Sequence, residues 1–242
     1  MVIADAVGLV LMVALAVARA EPLPGSKGIL FAALAGVIGA VGLSAFYRAL
    51  ATGSMGVQAP VTSLLSTLIP VIFGVFTEGW PHRLQLAGLV LALASVTLIS
   101  SSPAKDGARH QYGLALLAGV CFGAYLILSK HAGALGLFWI LAYIRLAALL
   151  LMVGVHYVSE RRWMPAIAPL GLQCSAGVFD VLGNFLFVLA TRSGRLDVSA
   201  VLASMYPAVT VVMALVLLRE RFTLLQGLGI VVALAATVLL SY

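Results

Sequence analysis

The sequence predicts an all-α, polytopic membrane protein with nine transmembrane helices. Three observations carry this. Of the 242 residues, 63% are hydrophobic and only 9% are charged, against roughly 25% charged in an ordinary soluble domain. The mean hydropathy is +1.15, and a soluble chain of this length lacks the polar surface to cover so much apolar area. The apolar residues also fall into runs near the ~20 residues that a helix needs to cross ~30 Å of hydrocarbon. Finally, the chain repeats itself at an offset of 141 residues, so that 36–100 pair with 177–241 without a gap.

The spans follow in order from their breaks. The first, 2–18, is apolar apart from Asp5. Ala18-Arg19-Ala20 has the small-x-small form of a cleavage site, but no Lys or Arg precedes the apolar stretch, so it reads as a span and not as a signal peptide. Pro22, Pro24 and Gly25 separate it from 28–50, and the Thr52 to Gly56 connector separates that from 57–77. Gly79 and Pro81 precede 84–101, and the polar stretch 103–110 precedes 111–130. The spans 137–158, 167–191, 197–218 and 222–241 are divided by connectors at 159–165, 192–197 and 219–221. All connectors are short, which leaves no room for a soluble domain. A β-barrel is excluded because 86–99 and 209–218 are apolar on every side, whereas barrel strands alternate.

Charge narrows the function. The net charge is +6, but the 14 Lys and Arg lie mostly at span ends, with no dense basic block interleaved with aromatics. That pattern suits anionic headgroups and argues against nucleic acid as a partner. One side of the bilayer would carry Arg19, Lys27, Arg83, Lys130, Arg192 and Arg195. The other would carry Arg48, Lys105, Arg109, Arg161, Arg162, Arg219 and Arg221. Six against seven gives no positive-inside orientation. Cys121 and Cys174 have no Cys or His neighbours, and His82, His110, His131 and His156 do not cluster, so no metal or cofactor is expected. No catalytic constellation or phosphate loop is present, so neither an enzyme nor a self-contained ATP-driven pump is expected.

The repeat pairs Gly36 with Gly177, Gly42 with Gly183, Phe46 with Phe187, Ser63 with Ser204, Gln85 with Gln226 and Gly88 with Gly229. In this register the helix at 137–158 maps onto the first span, and 111–130 has no counterpart in the first unit. The first unit, 1–101, therefore has four helices and the second, 111–242, has five. Because five is odd, two such units run through the bilayer in opposite directions, which is the inverted-repeat plan of many secondary transporters.

The ends of the units carry a shared phrase. The second unit shows Tyr206-Pro207, then Arg219-Glu220-Arg221, then Leu225-Gln226 with Gly229. The first shows Ile69-Pro70, then Glu78-Gly79, then Leu84-Gln85 with Gly88, and Tyr143-Ile144-Arg145 resembles the start of a second helix. On these residues the chain resembles the EamA-like family of the drug/metabolite transporter superfamily over essentially its whole length. The resemblance implies a ten-helix plan, here minus the first helix. It also implies a cytoplasmic C-terminus, a multi-pass place in the cell membrane (the bacterial inner membrane), and movement of small organic metabolites by alternating access. Glu78-Gly79 departs from the family's Glu-Arg pair.

Polar residues inside apolar spans mark the candidate site, because a charge at mid-bilayer is expensive. Asp180 lies well inside its span, with Asn184 one turn later on the same face. Their register partners, Gly39 and Leu43, are not polar. Arg145 lies about nine residues into its helix, placed either to snorkel to an interface or to face a cavity and bind an anionic substrate, and the competing reading for Asp180 is a structural pair, neutralised by Arg145 or protonated. Gln58, Thr62 and Ser66 recur every four residues, and Tyr206 stands beside Pro207. Tyr206, Asn184, Asp180, Gln58, Thr62, Ser66 and Arg145 are therefore the expected substrate-binding residues, with helix packing as the competing reading for the hydroxyls. The expected partners are the lipid bilayer and a small-molecule substrate, with a homodimer left open. The rival function is a non-transporting membrane partner or a truncated remnant of such a transporter.

Overall fold

The computed structural model describes residues 2–52, 55–99, 112–132, 136–160, 170–203 and 224–240. Among them all regular structure is helical. The helices are α1 (Val2–Ala18), α2 (Ser26–Thr52), α3 (Met55–Glu78), α4 (Arg83–Ile99), α5 (Tyr112–His131), α6 (Leu137–Glu160), α7 (Leu170–Ser193), α8 (Leu196–Ala203) and α9 (Leu224–Leu240). Four segments of α2, α3, α5 and α6 are long and apolar enough to cross a bilayer: Ser26–Ala51, Val61–Glu78, Gly113–His131 and Leu137–Val155. At ~1.5 Å per residue, α1, with 17 residues, is also apolar but shorter.

The helices form two compact units. One comprises Met1–Val41 with Tyr125–Ser193, and the other Gly42–Ala124 with Gly194–Tyr242. In the first, α1 packs on α6 and α7. It does so with one stripe, because Asp5, Gly8, Met12 and Ala16 are its buried residues and recur at helical spacing. The buried residues of α6 include Leu137, Ile140, Leu141, Ala142, Ile144, Arg145 and Ala148.

Glycines set the closest approaches. A Cβ on Gly36 of α2 would lie 2.2 Å from the Ile144 carbonyl oxygen, and one on Gly177 of α7 would lie 2.8 Å from that of Ala4. In both cases the obstacle is backbone, which cannot swing aside. Gly36→Ala is therefore expected to cost about 1–3 kcal/mol through overpacking, read as a lower melting temperature of the purified protein in detergent. Gly154→Ala on α6, where nothing lies within 4 Å, is the neutral control.

In the second unit α4 packs on α9, and α3 packs on α8 and α4. Leu89, Ala92, Val201 and Ala236 form a buried apolar cluster there. Hydroxyls inside apolar helices bond carbonyls of their own helix. Ser66 and Thr67 both donate to the Ser63 carbonyl, at 2.9 and 2.8 Å, and Ser95 donates to the Ala92 carbonyl at 2.7 Å. Thr62 differs, since its hydroxyl crosses to the Ala115 carbonyl of α5 at 3.1 Å. Gly119, one turn further along α5, allows this approach: a Cβ there would meet the Thr62 carbonyl oxygen at 2.9 Å.

The α3–α4 turn is tied to the start of α8. Gly79 makes the turn with a positive φ of 81°. Arg195 donates to the Gly79 and Glu78 carbonyls. Its Nε and guanidinium nitrogens also donate to Asp197, whose side chain is completely buried. These hydrogen bonds, with the negative charge of Asp197, raise the Arg195 pKa above its ordinary value. The Glu78 carboxylate accepts from the Leu196 backbone N–H at 3.1 Å, and Asp197 accepts from that of Val198 at 2.8 Å. Both carboxylates thus stand at the positive end of the α8 dipole.

Candidate functional site

The first unit places an ionic network among apolar helices. Arg145 reaches Asp5 on α1 and Asp180 on α7. Its Nη1 donates to Asp5 Oδ1 at 3.0 Å, and its Nη2 pairs with Asp180 Oδ2. The side chains of Arg145 and Asp5 are about a tenth exposed, at 11% and 10%, whereas that of Asp180 is 54% exposed. Gly8 makes the arrangement possible. A Cβ there would strike Val181 Cγ2 at 2.7 Å and touch Arg145 Cδ at 3.5 Å, so the small residue lets α7 and the arginine stem close on α1.

Neutral groups extend the network. Asn184, one turn beyond Asp180, donates from its amide to the Asp180 carbonyl at 2.8 Å and to Oδ1 at 3.2 Å. The Tyr125 hydroxyl of α5 donates to Asn184 Oδ1. Gly39 lies against the Tyr125 ring, where a Cβ would meet Cδ2 at 3.0 Å. Planar guanidinium forks bind carboxylates well, so the arrangement holds two acidic groups from different helices on one cation. Its half-exposed end is Asp180.

Of the residues expected from the sequence, Arg145, Asp180 and Asn184 come together in this network. Gln58, Thr62 and Ser66 lie on α3 in the other unit and are all buried there, at 2%, 0% and 4% exposure. Tyr206 lies outside the described residues, as does Pro207. Sequence reasoning missed Asp5 and Tyr125 as members of the network. A tally of charges inside apolar runs, with the demand that each find an opposite partner, could have joined Asp5 to Arg145.

Apolar helices long enough to cross a bilayer, with a charged network among them, define a multi-pass membrane protein. Residues 111–242, more than half of the chain, match the model of the EamA-like transporter family, and the chain belongs to that family. That family is one of membrane transporters, which sets a lipid bilayer as the chain's surroundings.

The chain is also similar to an uncharacterised protein of Methanocaldococcus jannaschii, with 35% identity over 66 residues, 27% of this chain and 48% of that protein. It thus spans about half the length of the curated relative it matches. A solved crystal structure shares the fold, with a TM-score of 0.82 at 16% identity over 99% of this chain and 86% of that one.

Proposed function

We propose that the chain is a secondary transporter or facilitator that moves small organic metabolites across the cell membrane by alternating access. Two inverted repeats would do so: 1–101 with four membrane-spanning helices and 111–242 with five. The observation that carries the functional reading is the Asp5–Arg145–Asp180 network. Buried ion pairs add little net stability, and ionisable groups inside membrane helices typically mark substrate or ion paths.

The helix geometry supports the repeat. The helices that this register relates pack on each other: α1 on α6, α3 on α8, α4 on α9. The two close glycine contacts are also related by it. Gly36 maps to Gly177, and Ile144 maps to residue 3, next to Ala4.

In this reading Tyr206, Asn184, Asp180, Gln58, Thr62, Ser66 and Arg145 face the transported solute. The polarity of Asp180 and Asn184 and the partial exposure of Asp180 support the assignment for α7. For Thr62 the bond to Ala115 favours a second reading, in which that part of α3 is a packing seam.

Cysteines placed singly at Gln58, Thr62, Ser66, Asp180, Asn184 and Tyr206, in a background without Cys121 and Cys174, separate the two. Solute-facing positions are expected to react with a water-soluble thiol reagent. If most react only with lipid-soluble reagents, the site assignment is wrong. Asn184→Ala and Tyr206→Ala are expected to weaken solute affinity while leaving protein abundance near the parent level.

A further inference from the structure

The ionic network carries a charge imbalance that the transport reading does not use. Asp5 from α1 and Asp180 from α7 share the single guanidinium of Arg145 from α6. Among the described residues the other titratable group turned to them is Tyr125 from α5, and the chain's amino group acts on Asp5 through space. Asn184 is neutral. Two carboxylates on one cation leave a surplus negative charge, and among apolar helices that surplus is costly.

The two carboxylates are not equivalent. Asp180 is paired in charge with Arg145 Nη2 and accepts a hydrogen bond from the Asn184 amide, and it is half exposed. Among the described residues Asp5 receives a hydrogen bond only from Arg145 Nη1, and it is a tenth exposed. The more buried carboxylate is the one less able to keep its charge.

We propose that the network binds one exchangeable proton and that Asp5 is the carboxyl that holds it. With Asp5 neutral, Arg145 and Asp180 form a balanced pair between α6 and α7. When Asp5 gives its proton to water, Arg145, still protonated, gains a second anion on α1. The exchange thus moves the strongest pairing of Arg145 from α7 toward α1. This rests on α1, α6 and α7 lying in a bilayer and needs no transported solute, so a chain that moved nothing would leave it standing.

The test is infrared spectroscopy of the full chain in phosphatidylcholine vesicles, in sodium-free buffer, titrated from neutral to alkaline pH. An N-terminal extension carries the amino group away from Asp5. The expected result is a carboxylic-acid C=O stretch at neutral pH that disappears on alkalinisation. Asp5→Glu should shift this band, and this variant keeps the acid if the asparagine variants fail to fold. Asp5→Asn should abolish it. Asp180→Asn should abolish it as well, because Asp5 then pairs one-to-one with Arg145 and ionises. The proposal is overturned by a parent chain without an acid band at neutral pH, or by a band that survives Asp5→Asn unchanged. A carboxylate stretch that responds to added sodium at fixed pH, with no acid band, overturns it in favour of a metal-cation site.

Discussion

Arg145→Leu is expected to lower the stability of the folded chain by about 3 kcal/mol, the lower end of the usual cost of breaking a buried ion pair from one side, because Asp180 is half exposed. The variant keeps Asp5 and Asp180 but removes the cation between them. A carboxylate without a partner in an apolar setting takes up a proton instead. At pH 7 that costs up to about 4 kcal/mol for a carboxyl of ordinary pKa near 3.9; Asp5 already holds its proton in the parent and Asp180 is half exposed, so the added loss falls below this. The sign of the pH dependence follows. The folded variant binds a proton that the unfolded chain releases, so its stability falls as pH rises above the ordinary carboxylate range and recovers as pH falls toward it. Melting curves in detergent at several pH values, beside the parent, check this. Adding Asp5→Asn and Asp180→Asn to Arg145→Leu removes the stranded acids and should restore most of the loss. No recovery in that triple variant would mean that Arg145 acts mainly through its packing.

Arg195→Leu is the second large effect, expected at about 3 kcal/mol. The Asp197 side chain is completely buried, and Arg195 supplies its cation and two of its donors. The same arginine holds the Gly79 carbonyl of the α3–α4 turn. Its removal strands a buried carboxylate and unties the turn together. The loss sits at the lower end of the range for buried pairs, because the Arg195 side chain is itself a quarter exposed, at 24%, and water can replace part of it. Arg195→Lys keeps the charge but not the fork, so it should recover only part of the loss. Asp197→Asn combined with Arg195→Leu should recover more. The readout is melting temperature with limited proteolysis at the α3–α4 turn, where the single variant should be cut faster than the parent.

Local features of the fold were legible because they depend on local chemistry. Apolar runs bounded by Gly79 and Pro81, or by Pro22, Pro24 and Gly25, mark helix ends wherever they occur, and the end of α1, the start of α4 and the end of α5 lie within one residue of the reading. Packing partners were harder. Asp5 and Arg145 are 140 residues apart, and no periodicity joins such positions. Asp5 was legible only as a blemish in an apolar run. Asp180 and Asn184 stood out because they share one face of one helix, and their bond is the i, i+4 contact that this spacing allows. The α3 stripe was legible as a stripe, but its partner was not. The bond from Thr62 to Ala115 depends on Gly119 allowing α5 to approach, a matter of backbone distance that residue identity alone does not reveal.

The most direct test of the transport reading is solute flux through the purified chain. Vesicles reconstituted with it are loaded with a mixed extract of small organic metabolites, and the external medium is followed by mass spectrometry. The account expects a restricted set of metabolites to leave faster than from protein-free vesicles. That flux should saturate with concentration and be strongly reduced in Asn184→Leu protein that is folded and equally abundant. Efflux indistinguishable from protein-free vesicles for every metabolite, with the parent chain folded in the membrane, would contradict it and leave a non-transporting membrane partner as the standing function.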